Sequence, residues 1–137
     1  MKRLFGLCGI VVCLTSCATT NQRMLDSGEN QLALRSIQSR VFETKNKKKT
    51  LRTIMATLQD LGFVIDKADH MLGTVSGTKL DYYQLKMTVS VRKRPKGRLL
   101  IRASAEYAAR PVTDPQPYQD FFTSLSKAMF LTAHQVD

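Results

Sequence analysis

The sequence contains little of the chemistry that enzymes and metal proteins use. Its 137 residues include two histidines, His70 and His134, too far apart to form an HxxxH metal pair. It has no H-E-x-x-H, no G-x-S-x-G and no glycine-rich phosphate loop. Four aspartates recur along the middle of the chain, where capping, turns and strand edges explain them: Asp60, Asp66, Asp69 and Asp81. The sequence therefore predicts no enzyme, no metal and no cofactor.

Long apolar runs are also missing. The one candidate, residues 4–14, is uncharged but shorter than the roughly 20 residues that a membrane-spanning helix needs. Lys2 and Arg3 precede it and Thr15-Ser16 follow it, which is the layout of a secretory signal. The motif Leu14-Thr15-Ser16-Cys17 resembles the lipobox of bacterial lipoprotein precursors. The resemblance implies that residues 1–16 are a signal peptide and that Cys17 carries the lipid.

Cysteine is scarce, and its positions fit this interpretation. Cys8 and Cys13 leave with the signal and Cys17 is consumed by lipid, so the mature chain has no thiol. That excludes disulfides, thiolate catalysis and cysteine-ligated metals, and it suits an oxidising periplasm. Ala18 follows Cys17, and by resemblance to the enterobacterial sorting rule this implies the outer membrane, with the domain facing the periplasm. The alternatives are an ordinary secretory signal with an incidental cysteine, or a buried helix start.

Acidic residues are outnumbered, with 11 against 21 lysines and arginines. Removal of Lys2 and Arg3 leaves 19 basic residues and a net charge of +8. In the envelope such a chain meets anionic lipids and wall polymers rather than nucleic acid. The alternative is a solvated surface that happens to be rich in lysine.

Two basic clusters are the candidate anion-binding residues. The first lies at a predicted helix start: Lys45, Lys47, Lys48 and Lys49. Cations there oppose the helix dipole by about a few tenths of a kcal/mol each, whereas unpaired helix amides favour phosphate or carboxylate. The second surrounds a predicted hairpin turn: Arg92, Lys93, Arg94, Lys96 and Arg98. The alternative for both clusters is again a solvated surface.

The mature chain divides into a tether and one domain. Residues 17–33 are polar and without a hydrophobic period, which predicts a lipidated N-terminus and flexible tether. Residues 34–137 form a single predicted globular domain. It opens with a strand over residues 34–43, and a helix over residues 47–61 follows, with Thr44 or Asn46 as its cap and Gly62 beyond its end.

The remaining pattern is that of an antiparallel sheet. Strands are predicted at residues 63–66 and 72–79, with Gly73 and Gly77 marking bulges or close backbone approaches. Alternating residues 85–92 and 99–107 predict a hairpin with one buried and one wet face. The wet face is basic, through four residues: Lys86, Arg92, Arg98 and Arg102.

Residues 109–117 are extended because of their three prolines, and a last helix spans residues 117–133. On it Tyr118, Phe121 and Phe122 are predicted to be core, although two adjacent aromatics are not both expected to point fully inward. The order β-α-β-β-β-β-α predicts an α+β two-layer sandwich, an antiparallel sheet with two helices on one face.

Two segments carry a further resemblance. Residues 58–66 (LQDLGFVID) and 114–131 (DPQPYQDFFTSLSKAMFL) resemble a family of small, largely uncharacterised bacterial envelope lipoproteins. The resemblance extends from about Ser36 to Val136. It implies an envelope location and an intact domain, and it brings no activity, ligand or catalytic residue.

These observations favour a non-enzymatic interaction or accessory module of an envelope assembly or transport complex, tethered to the membrane and contacting a protein partner. The alternative is a module that binds anionic envelope lipids or polymers through the two basic clusters. An enzyme would require a concave pocket with convergent polar groups.

Overall fold

The computed structural model describes residues 19–134, and it divides the chain into two units, residues 1–31 and Leu32–Asp137. The signal peptide and Cys17 predicted from the sequence lie outside the described residues. A short 3₁₀ turn, Pro95–Gly97, joins two of the strands. The helices and strands in chain order are α1 (Thr19–Gln38), β1 (Ser39–Phe42), α2 (Lys47–Asp60), β2 (Val64–Asp69), β3 (Thr74–Leu80), β4 (Gln84–Arg94), β5 (Arg98–Tyr107), β6 (Arg110–Pro111) and α3 (Gln116–His134). Among the described helices, none has the length and apolar character needed to cross a membrane.

The sheet is antiparallel and has six strands, in the order β1-β5-β4-β3-β2, with β6 also pairing with β5. Apolar residues of α2 and α3 join those of the strands in one core, so both helices lie on the same face of the sheet. The predicted α+β two-layer sandwich is confirmed. The observed order adds α1 at the start and the two-residue strand β6, which sequence patterning did not show.

The β4–β5 hairpin has the alternation that the sequence predicts. Leu85 lies opposite Tyr107 and Arg94 opposite Arg98, in one continuous register. Odd-numbered residues of both strands point into the core, and Val89, Ile101 and Ala103 have no exposed surface. Even-numbered residues therefore form the other face, which within the unit Leu32–Asp137 carries neither α2 nor α3.

Helix α2 begins and ends where its sequence signals are. The Asn46 side chain accepts a hydrogen bond from the Lys49 backbone N–H at 2.9 Å, which caps the N-terminus. At the other end Gly62 has φ +88, and the Phe63 N–H donates to the Leu58 carbonyl at 2.9 Å. This is the αL-terminated geometry that glycine favours. Leu51, Ile54 and Leu58 form its buried stripe, as predicted.

The predicted close backbone approach occurs at Gly77. A Cβ there would lie 3.0 Å from the Val64 carbonyl oxygen on β2. The irregularity in pairing falls on β2 itself, between Ile65 and Lys67. Gly73 belongs to the β2–β3 turn, where it has φ +75 and accepts a hydrogen bond from the Val91 N–H at 2.8 Å.

The three aromatic residues of α3 that are predicted to be core, Tyr118, Phe121 and Phe122, are all buried, including both members of the adjacent pair. Phe121 has no exposed surface and Phe122 is 3% exposed, so the expectation that they could not both point inward is wrong. Their rings meet edge to face with centroids 5.1 Å apart. The Phe122 ring is covered in part by Arg40, because the Arg40 guanidinium lies 5.2 Å from the Phe122 ring centroid.

The structure corrects the predicted first strand of the domain. The sequence predicts a strand over residues 34–43, but the helix α1 (Thr19–Gln38) occupies the first half of that range. No proline interrupts this segment, and Leu34 and Ile37, three residues apart on one helical face, pack against the core. The alternating pattern is a strand only over Ser39–Phe42.

Candidate anion-binding site

The first predicted cluster lies at the start of α2, where Asn46 already occupies part of the helix terminus. Lys47 extends across to the β2–β3 turn and donates from Nζ to the Met71 carbonyl at 3.3 Å. Lys45 lies against Gly97, at which a Cβ would collide with the lysine side chain. Lys48 and Lys49 are exposed. Lys45 and Lys47 therefore pack against the neighbouring turns, away from the amides at the start of α2.

Gly97 belongs to the β4–β5 turn, so Lys45 stands directly beside the second predicted cluster. The Val91–Gly73 hydrogen bond brings the β2–β3 turn to the same end of the sheet. The structure thus joins the two clusters into one basic end of the domain. They are separate in sequence and adjacent only through the antiparallel pairing.

The strand pleat divides the second cluster between the two faces. Arg92 and Arg94 have even numbers and lie on the face opposite the helices, whereas Lys93 pairs with Leu99 on the helix side. Lys96 is exposed in the turn with φ +62. Arg98 is half-buried and donates from Nε to the Pro95 carbonyl at 3.4 Å. The five residues therefore do not act as one surface.

A concave surface on the face opposite α2 and α3 brings three arginines together. We call it the arginine groove, a depression of about 460 Å³ whose lining is Thr88, Ser90, Arg92, Arg94, Leu100, Arg102 and Ser104. Arg102 lies opposite Ser90, and Arg92 lies opposite Leu100, so the arginines come from both strands of the hairpin. Among the described residues, none with a carboxylate lines the groove.

The guanidinium groups are available to a ligand. Among the described residues, Arg92 and Arg94 form neither a hydrogen bond nor an ion pair through their side chains. Arg102 has only a long contact, 3.5 Å from its Nη2 to Gln38 Oε1. Planar guanidinium forks bind phosphate and carboxylate in a bidentate manner, and the neighbouring hydroxyls add further donors. The lining of the groove therefore presents the kinds of hydrogen-bond donor that an oxyanion ligand requires.

The arrangement is unfavourable for folding, because Arg94 and Arg98 lie directly opposite each other on the same face. Like charges at this spacing repel and destabilise a sheet. Lys86, by contrast, lies opposite Glu106. The unbalanced charge is thus concentrated at the groove.

The clusters chosen from the sequence omitted Arg102, Ser90, Thr88 and Ser104. Arg102 belongs to the wet face that alternation predicts, but it stands apart from the basic run at residues 92–98. The signal that locates it is the register of the hairpin, which places it beside Ser90.

The histidines and aspartates have structural positions. His70 is exposed in the β2–β3 turn, and the His134 ring contacts Phe130 with centroids 4.2 Å apart. Asp69 accepts from the Leu72 N–H at 2.8 Å, and Asp66 accepts from Thr78 Oγ1 at 2.6 Å. In the part of the chain that the structure describes, no group of three or more histidine, cysteine or acidic residues is placed to hold a metal ion.

Comparisons with known proteins add little to this geometry. No family model matches the chain, and no curated protein matches it. Among solved structures, a DUF4468 family protein from Bacteroides ovatus is similar over 66% of this chain and 83% of its own, with 12% identity and a TM-score of 0.40. That degree of similarity assigns neither a family nor a function.

Proposed function

We propose that the protein is a membrane-anchored lipoprotein of the bacterial envelope, attached to the outer membrane through acyl chains on Cys17 and facing the periplasm. The support is the sequence signal, with its charged start, short apolar run and lipobox-like Leu14-Thr15-Ser16-Cys17. Labelling of cells with a palmitate analogue is expected to mark the wild-type protein and to leave the Cys17→Ser variant unmarked. Equal labelling of both proteins would contradict lipid attachment at Cys17.

The domain, in this proposal, is a non-enzymatic interaction module, and its ligand class is the phosphate groups of envelope lipids or polymers. The arginine groove is the observation that carries this choice. It presents Arg92, Arg94 and Arg102 on the face opposite α2 and α3, with hydroxyl donors between them and, among the described residues, no carboxylate. Surfaces of this kind attract anions over several ångströms and hold them through charge-assisted hydrogen bonds.

The test is a titration of the full chain, purified in a zwitterionic detergent, with two phosphate probes. Soluble polyphosphate represents a polymer, and short-chain phosphatidylglycerol, compared with phosphatidylcholine, represents a lipid head group. Binding is expected to weaken with salt, because the interaction is largely between charges. The arm that binds more tightly identifies the source of the phosphate.

Matched variants separate the groove from general charge. Arg92→Gln with Arg102→Gln removes two groove cations and is expected to lower affinity by at least about tenfold, the equivalent of roughly 1.4 kcal/mol. The control, Arg52→Gln with Lys127→Gln, removes the same charge from exposed positions on α2 and α3. Equal losses in both double variants would show that net charge alone is responsible and would contradict a groove site.

A further inference from the structure

A second concave surface lies at the other end of the β4–β5 hairpin, on the helix side of the sheet. We call it the tyrosine cleft; its volume is about 460 Å³, and Leu61, Phe63 and Leu85 form part of its wall. Its distinguishing residues are three tyrosines and three aspartates: Tyr82, Tyr83, Tyr107, Asp81, Asp114 and Asp120. The β3–β4 connection, the end of β5 and the start of α3 bring them together.

The tyrosines are not needed by the core. Tyr82 is 94% exposed, Tyr83 is 76% exposed and Tyr107 is 40% exposed. Tyr83 and Tyr107 meet edge to face with ring centroids 6.3 Å apart, so the two rings contact each other in the cleft. Rigid, amphipathic rings of this kind contribute most of the energy in many recognition surfaces.

The cleft is acidic in a basic protein. In the part of the chain that the structure describes, three acidic residues line it, against one cation, Lys79. Asp114 accepts from the Gln116 N–H at 2.9 Å and Asp120 from Gln116 Nε2 at 2.7 Å. Among the described residues, no lysine or arginine forms an ion pair with Asp81, Asp114 or Asp120. The carboxylates therefore retain acceptor capacity for a cation from outside.

The backbone beside Tyr107 is held in an unfavourable conformation. Ala108 and Ala109 have φ +45 and +64, a region that non-glycine residues rarely adopt. Strain of this kind is retained where the surrounding structure fixes it, and it clusters at ligand sites. Here the turn directs the chain from Tyr107 through β6 to Asp114, so it joins two parts of the cleft wall.

We propose that the tyrosine cleft binds an arginine-bearing segment of a protein partner. A guanidinium stacks on tyrosine faces and pairs with carboxylates in a bidentate manner, so both kinds of lining group recognise the same ligand. A neutral saccharide would use the rings and gain nothing from the net negative charge. The inference rests on the proposed role as an interaction module, and it is independent of phosphate binding at the arginine groove.

The experiment is fluorescence-anisotropy titration of the full chain, in a zwitterionic detergent, with a labelled arginine–glycine repeat peptide. The matched probe replaces arginine by citrulline, which keeps the shape and removes the charge. We expect the arginine peptide to bind at least about tenfold more tightly, since charge-assisted hydrogen bonds and cation–π contacts are both lost with citrulline. Equal affinity for the two peptides would overturn the proposal.

Variants place the binding in the cleft. Tyr82→Ala and Asp81→Asn are each expected to weaken arginine-peptide binding about fivefold to tenfold, whereas Glu43→Gln, which removes an exposed carboxylate outside the cleft, leaves it unchanged. An unaltered thermal midpoint shows that each variant folds. Two other outcomes would also overturn the proposal. One is that the cleft binds chitotriose and not the arginine peptide; the other is that the cleft binds only an arginine from a second copy of this chain. The polyphosphate titration of the groove variants tests only the arginine groove, and the peptide titration tests only the tyrosine cleft. Either proposal can therefore fail without the other.

Discussion

The Tyr118 hydroxyl links three separate segments in the core. It donates to the Val112 carbonyl at 2.7 Å and accepts from the Ala105 N–H and from Gln38 Nε2, both at 3.2 Å. Tyr118 has no exposed surface, and Gln38 is 6% exposed. One phenol therefore satisfies buried polar groups from the end of α1, from β5 and from the segment after β6.

Replacement of Tyr118 by phenylalanine keeps the ring and removes these three bonds. We expect the free energy of unfolding to fall by about 1–3 kcal/mol, because buried partners are left without hydrogen bonds. Urea unfolding of the full chain measures the change. The control is Tyr82→Phe, at a hydroxyl on a 94% exposed residue, which is expected to change stability by less than about 0.5 kcal/mol. Equal midpoints for wild type and Tyr118→Phe would contradict the assigned role.

Arg94 is a residue at which stability and the proposed binding oppose each other. Arg94→Glu replaces the repulsion with Arg98 by an opposite-charge pair across the strands, and this is expected to stabilise the protein by roughly 0.2–1 kcal/mol. The same change puts a carboxylate into the arginine groove and should abolish polyphosphate binding. A variant that is less stable, or that binds normally, would argue against this account of the groove.

At the scale of elements, the β5–β6 turn is the clearest departure from ordinary turn chemistry. Tight hairpin turns with positive φ at both central residues favour Asn-Gly, yet this chain uses Ala108-Ala109. The absence of a turn-forming pair also explains why sequence patterning did not identify β6. The segment was predicted as extended from its prolines, and β6 (Arg110–Pro111) is indeed extended.

Ala109→Gly tests whether this turn is strained. A left-handed conformation costs a non-glycine residue roughly 1–2 kcal/mol, partly offset by the greater flexibility of glycine in the unfolded chain. We expect a net gain in stability of about 0.5–1 kcal/mol, measured by thermal or urea unfolding. Gly28→Ala, at an α1 glycine where an added Cβ would meet no atom of another described segment within 4 Å, provides the reverse comparison and should not be destabilising. A loss of stability in Ala109→Gly would show that the turn is relaxed.

At the scale of the whole domain, charge is segregated. The lysines at the start of α2 and the arginines of the hairpin lie at one end, and the acidic tyrosine cleft lies at the other. A strand advances roughly 3.4 Å per residue, so the length of β4 separates the two ends by roughly 30 Å. This exceeds the Debye length of about 8 Å at physiological salt. The net charge of +10 therefore describes neither end.

This separation predicts that the two proposed sites act independently. When Arg92→Gln and Tyr82→Ala are combined, the losses in polyphosphate and arginine-peptide binding are expected to equal those of the single variants within about 0.5 kcal/mol. Arg92→Gln combined with Arg102→Gln, within one groove, serves as the contrasting pair and is expected to be non-additive. Coupling between Arg92 and Tyr82 would require a conformational link along the hairpin.

The local pattern of apolar residues was enough to predict the elements in which that pattern has a strong period. Alternation predicted which face of β4 and β5 is buried, and the apolar spacing with Asn46 and Gly62 predicted α2. It failed for α1 because Leu34 and Ile37 give only a weak helical period, which the short alternation at residues 37–41 obscured. The same pattern underestimated the burial of Phe122, because the side chain that covers its ring is Arg40, which belongs to β1.

By itself the sequence determined the α+β class, the hairpin with its basic wet face and the absence of thiols beyond residue 17. The signal peptide and Cys17 anchor remain its prediction. Only the tertiary structure decided that Lys45 lies beside the hairpin turn, that Arg102 joins Arg92 and Arg94, and that residues 81, 107 and 114 share one cleft. The physical reason is that side-chain direction follows from local periodicity, whereas neighbours across strands depend on register and on how helices pack, which single segments do not encode.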